Sequence, residues 1–67
     1  MKTIFEKEGL QIVLEESPVH EGQFYVTTKI GEKTVSYECY MNELDATRNF
    51  YIEIVNCTGY SKYIYNK

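Results

Sequence analysis

No long apolar run occurs in this sequence. A secretory leader or a membrane span needs one, so neither is expected, and the chain is expected to be cytoplasmic. Cysteine is scarce: Cys39 and Cys57 are the only two, and a cytoplasmic setting keeps both reduced. Together with the single His20 they match no zinc-binding spacing, so no metal and no other cofactor is expected. One histidine and few serines leave little from which to build a nucleophile, a base and an orienting group. Gly-x-Ser-x-Gly, phosphate-loop and dinucleotide signatures are absent too. The chain is therefore not expected to be an enzyme. Basic stripes are also missing, which removes the electrostatic footprint of direct nucleic-acid binding.

What is present is acid, tyrosine and strand-forming residues. The formal net charge is −3, and its placement is uneven. Residues 1–22 hold Glu6, Glu8, Glu15, Glu16 and Glu21 against Lys2 and Lys7, whereas residues 23–67 balance five acids with five bases. The 67 residues make one domain, residues 1–67, and 43% are hydrophobic, enough for a folded core. A chain this short buries only ~60% of its unfolded surface, so small domains of this kind often add a disulfide, a metal or a partner chain.

The clearest local signal is Gln23–Met41, QFYVTTKIGEKTVSYECYM. Two runs rich in β-branched and aromatic residues flank Gly31-Glu32, which predicts a hairpin with a type II′ turn. A continuous ladder from that turn pairs Ile30 with Lys33, Thr28 with Val35, Val26 with Tyr37 and Phe24 with Cys39. Phe24, Val26, Ile30, Val35, Tyr37 and Cys39 then share a core-facing side. Tyr25, Thr27, Lys29, Thr34, Ser36, Glu38 and Tyr40 share a wet side.

Residues 2–16 predict a first hairpin around Lys7-Glu8-Gly9, with Leu10, Ile12 and Leu14 alternating along its second strand. A two-residue turn and a three-residue bulged loop both suit Gly9, and they place Ile4 and Phe5 on opposite faces. Glu16–Gly22, which contains Pro18, reads as a loop. Asn42 is a candidate helix cap with Glu43 and Asp45 in the first turn, and Asn49 a candidate stop, giving a short helix over 43–48. Phe50–Asn56 alternates as a strand does, and Thr58-Gly59 would turn it into Tyr60–Tyr65. The competing reading is one long helix from Glu43 to about Cys57, with Leu44, Tyr51 and Val55 on one face. The strand is preferred. The expected fold is mainly β: a small antiparallel meander of three hairpins, barrel-like or a two-layer sandwich, with one short helix near 43–48.

Seven tyrosines without a tryptophan are the compositional anomaly. A tyrosine offers an apolar body and a polar tip, which suits half-buried strand positions and protein interfaces alike. Tyr37 is assigned to the core. Tyr25, Glu38 and Tyr40 are the expected exposed patch, with Tyr51 and Tyr60 beside it on a neighbouring hairpin. Glu15, Glu16 and Glu21 could dock on a basic partner, against the plainer reading of a solvated acidic loop. Cys39 and Cys57 are expected to be buried thiols.

The composition resembles, across the whole chain and without any specific motif, short proteins of phages and other mobile elements in low-GC bacteria. That resemblance implies a small protein-interaction module that binds and inhibits or redirects a host protein, with another protein of basic surface as its partner. Two alternatives stand beside it. One is a homodimer that binds a small ligand; the other is an acidic DNA mimic or nucleic-acid-directed regulator.

Overall fold

The computed structural model describes residues 2–59. Four strands, β1 (Lys2–Lys7), β2 (Leu10–Glu16), β3 (Phe24–Ile30) and β4 (Lys33–Tyr40), precede one helix, α1 (Glu43–Thr58). The strands form a single antiparallel sheet in the order β1-β2-β3-β4. The expected mainly β antiparallel meander is therefore present. Its form is an open sheet with a helix on one face, rather than a barrel or sandwich.

The first hairpin turns on two residues. Lys7 pairs with Leu10, and Glu8 and Gly9 both have positive φ, 50° and 86°. Positive φ at both central positions is the type I′ signature, which matches the twist of the flanking strands. This decides the register left open by the sequence: Phe5 lies opposite Ile12, and Ile4 opposite Val13. At the second turn Gly31 has φ 63° while Glu32 stays out of the left-handed region, as type II′ requires. The Gly31 N–H donates to the Gly9 carbonyl at 2.9 Å, tying the two hairpin tips together.

The ladder between β3 and β4 is not continuous. Lys29 pairs with Thr34, but Thr28 pairs with Ser36, so Val35 is an extra, bulged residue. From there the expected register is off by one: Thr27 faces Tyr37, Val26 faces Glu38 and Phe24 faces Tyr40. A one-residue slip sends every later side chain to the other face. Tyr37 and Cys39, expected in the core, therefore leave it, while Ser36, Glu38 and Tyr40 turn to the helix side. Val35 and Ile30, also expected inside, are exposed at 49% and 57%. Bulges belong on edge strands, where they also hinder pairing with another sheet, and β4 is such an edge.

The expected strand over 50–56 is helix instead, so the described residues hold two hairpins rather than three. Residues 60–65, the other half of the expected third hairpin, lie outside the described residues. Asn42 starts α1 as expected: its Oδ1 accepts from the Asp45 N–H at 2.8 Å, and its Nδ2 donates to Asp45 Oδ2 at 3.0 Å. Asn49 does not end the helix, and its Nδ2 donates back to the Asp45 carbonyl at 2.8 Å. The end comes at Gly59, φ 75°, whose N–H donates to the Val55 carbonyl at 2.9 Å. Ala46, Phe50 and Ile54 recur every four residues and form one buried stripe. Strand propensity loses here because, among the described residues, the apolar sheet face has no other cover.

That stripe packs on Ile12 and Leu14 of β2 and Phe24 and Val26 of β3, with Phe5, Leu10 and Tyr40 at its margin. Each large apolar side chain fully buried in this way contributes about 1.5–3 kcal/mol. A polar link crosses the layer: Thr28, 1% exposed, donates its hydroxyl proton to Glu53 Oε2 at 2.8 Å.

Candidate functional site: the open face of the sheet

Alternation puts half of each strand on the side away from α1. The register aligns these residues in three rows across the sheet. The first row is Lys2, Glu15, Tyr25 and Cys39; the second is Ile4, Val13, Thr27 and Tyr37; the third is Glu6, Gln11, Lys29 and Thr34. No described element covers them.

The middle row is the least polar. Val13 is only 9% exposed, although the sheet separates it from the helix-side core. Its neighbours on the same face supply that shelter. Ile4 and Tyr37 stand out at 49% and 60% exposure. The Tyr37 ring stacks on Tyr25, one row away, with centroids 5.2 Å apart and planes inclined by 16°. Diagonal neighbours across an antiparallel pair are within reach of aromatic side chains. Partial desolvation, with the Tyr25 phenol beside it, raises the Tyr37 pKa from its ordinary 10.0. The Tyr37 phenol is therefore a neutral hydrogen-bonding tip at neutral pH.

The outer rows carry the charge. Lys2 Nζ lies 3.7 Å from Glu15 Oε1, and Gln11 Nε2 donates to Glu6 Oε2 at 3.3 Å. Lys29 completes a rim of two positive and two negative groups. Val13 and Thr27 line a shallow depression that Lys2, Glu15, Gln11 and Lys29 border. An apolar middle row between charge-balanced outer rows, with an aromatic pair on the β3–β4 side, suits a protein-contact surface.

The expected site residues do not form one patch. Tyr25 and Glu15 are cross-strand partners on the open face. The bulge puts Glu38 on the opposite face, and Tyr40 packs at the edge of the core. Glu16 pairs with Phe24 on the helix side, half-buried, and Glu21 is exposed in the loop between β2 and β3. Tyr51 is 57% exposed on α1, its ring edge-on to Phe50. Tyr60 lies outside the described residues. The residues missed at the sequence level are Ile4, Val13 and Tyr37. A signal for Val13 was available: Ile12-Val13-Leu14 is apolar on both faces of a strand, more than one core demands.

The loop before β3 is held by its own backbone and by Ser17. The Ser17 hydroxyl oxygen accepts from the Val19 and His20 N–H groups at 3.2 and 3.1 Å, and the Ser17 N–H donates to the Gln23 carbonyl at 2.8 Å.

Both cysteines are free and exposed, not buried as expected. Cys57 lines a second shallow depression with Lys7, Glu8, Leu10 and Thr58. Partial burial and the charge of Glu53, whose Oε2 lies 3.8 Å from the Cys57 sulfur, push this thiol above its ordinary pKa. A thiol held protonated is a poor nucleophile. Among the described residues no three His, Cys, Asp or Glu side chains gather as a metal site, and no helix is long and apolar enough to cross a membrane.

Comparison with known proteins finds no matching family model, no matching curated protein and no matching solved structure, so the geometry of the open face is what bears on function.

Proposed function

We propose that this chain is a non-enzymatic protein-interaction module and that its contact surface is the open face of the sheet. The observation that carries this reading is the stacked Tyr25–Tyr37 pair on the β3–β4 side, with Ile4 and Val13 on the β1–β2 side, of a face that no described element covers. Accessible aromatic and branched apolar groups set among polar neighbours are the usual anchors of protein–protein contacts. The mechanism is steric and adhesive: the module holds or masks a surface, and no bond is made or broken. The composition places a phage or mobile-element origin, with a host protein as target, among the readings this module would serve.

A partner chosen mainly for basic charge fits this face poorly. Lys2 and Lys29 offset Glu6 and Glu15 on it, while Glu16, Glu21 and Glu38 point elsewhere. The test compares wild type with Tyr25→Ala/Tyr37→Ala in chemical cross-linking and pulldown, with circular dichroism as the check on folding. Loss of every protein contact by a folded variant is the expected result. Protein contacts that persist unchanged would overturn the choice of face, and a wild type that contacts no protein, itself included, would overturn the module reading.

A further inference from the structure

The geometry points to a second copy of this chain as the occupant of the open face, paired face to face about a two-fold axis that runs across the strands. This rests on the reading of that face as a contact surface and names its partner. An isologous contact requires a patch complementary to itself. Turning one sheet over about such an axis keeps β1 over β1 and reverses the order of the rows. The middle row then meets itself, so Ile4 and Val13 of the two copies meet on one side and Tyr37 meets Tyr37 on the other, with Thr27 against Thr27 between them. The first row meets the third. Lys2 falls opposite Glu6 of the other copy, Tyr25 opposite Lys29, and Glu15 opposite Gln11. These are an ion pair, a cation over an aromatic ring and a hydrogen-bonding pair, and symmetry makes each of them twice.

The alternative axis, along the strands, lays β1 over β4. It sets Glu15 against the Tyr25 ring and leaves Lys2 and Glu6 facing Cys39 and Thr34. Charge complementarity therefore selects the first arrangement. Twist between two aligned sheets opens the strands by about 30° and spaces the layers about 10 Å apart, which accommodates the side chains of both middle rows. Three rows on four strands project to about 400 Å² per copy. With standing side chains the pair reaches about 1,000 Å² in total, the lower bound of a specific interface, so the dimer dissociates on dilution.

The test is charge complementation in the full chain, read by sedimentation over a dilution series. Wild type is expected to pass from dimer to monomer. Lys2→Glu and Glu6→Lys, each alone, set like charges against each other at two places and are expected to weaken self-association about tenfold. Their equimolar mixture restores both attractive pairs, so it is expected to form a heterodimer as tight as wild type. Thermal melts of each variant show that it is folded. A mixture that stays monomeric, or single variants that dimerise like wild type, would overturn the arrangement. A wild type that is monomeric at every concentration would overturn the second copy as occupant. The module reading would survive that result if a different protein is captured by wild type and lost in Tyr25→Ala/Tyr37→Ala.

Discussion

The two faces of this sheet draw on similar residues and use them differently. On the helix side, Ile12, Leu14, Phe24 and Val26 are buried under Ala46, Phe50 and Ile54. On the open side, Ile4 and Tyr37 stand on the surface, Tyr25 is half-buried, and Val13 is sheltered by its neighbours on the same face. Apolar side chains contribute to folding in proportion to the area they remove from water. The helix side therefore carries stability, and the open side keeps apolar area in reserve for association.

The sharpest way to break this contrast is a pair of truncations. Phe50→Ala is expected to remove about 3–5 kcal/mol by leaving a cavity between α1 and the sheet. A chain this small has roughly 3–10 kcal/mol in total, so that variant is expected to be largely unfolded in urea titrations that wild type survives. Tyr37→Ala is expected to leave the denaturation midpoint close to that of wild type, since the ring is exposed and only its stacking on Tyr25 is lost. Similar losses for the two would erase the distinction between the faces.

A smaller effect probes the polar link beneath the helix. Thr28→Val keeps the shape of a buried side chain but deprives Glu53 of its hydroxyl donor, leaving the weaker Cys57 thiol. The expected loss is about 1–2 kcal/mol, read as a lower denaturation midpoint. Asn42→Ala removes the helix cap and is expected to lower stability by about 1 kcal/mol, with less helical signal in circular dichroism. The smallest change has the opposite sign. Glu8 is a non-glycine residue at φ 50°, and Asn-Gly is a favoured type I′ turn pair, so Glu8→Asn is expected to add about 0.5 kcal/mol.

Alkaline titration probes the edge of the helix-side core. Burial, with the charges of Glu38 and Glu53, raises the Tyr40 pKa above the ordinary 10.0. The folded state then holds its proton to higher pH than the unfolded chain does. The stabilisation from this difference is full below pH 10.0 and is lost as pH rises through the folded value. Tyr40→Phe is expected to flatten the fall in stability above that point. A denaturation series from neutral to alkaline pH that falls equally steeply for Tyr40→Phe and wild type would contradict this.

Much of the local structure was legible in the sequence. Gly31-Glu32 and Gly9 announced their turns because positive φ is inexpensive for glycine. Asn42 announced a helix start because its side chain can take up a free N–H. Less legible were three choices that depend on distant residues. Phe50–Asn56 satisfies both periodicities, and helix was selected because the faces of β2 and β3 needed a cover. The bulge at Val35 leaves no local mark, yet it moved Tyr37 and Cys39 to the open face and Glu38 and Tyr40 away from it. As a result, the expected patch of Tyr25, Glu38 and Tyr40 was divided between two faces.

By itself, then, the sequence determined the four strands of the first two hairpins, the positions of both tight turns, the start of the helix and an acidic first third, since each depends on residues a few positions apart. Tertiary structure alone decided where α1 ends, which side of β4 faces the core and which tyrosines stand together on the open face. Those outcomes depend on burying the most apolar area across the whole sheet, a condition that no local stretch of chain contains.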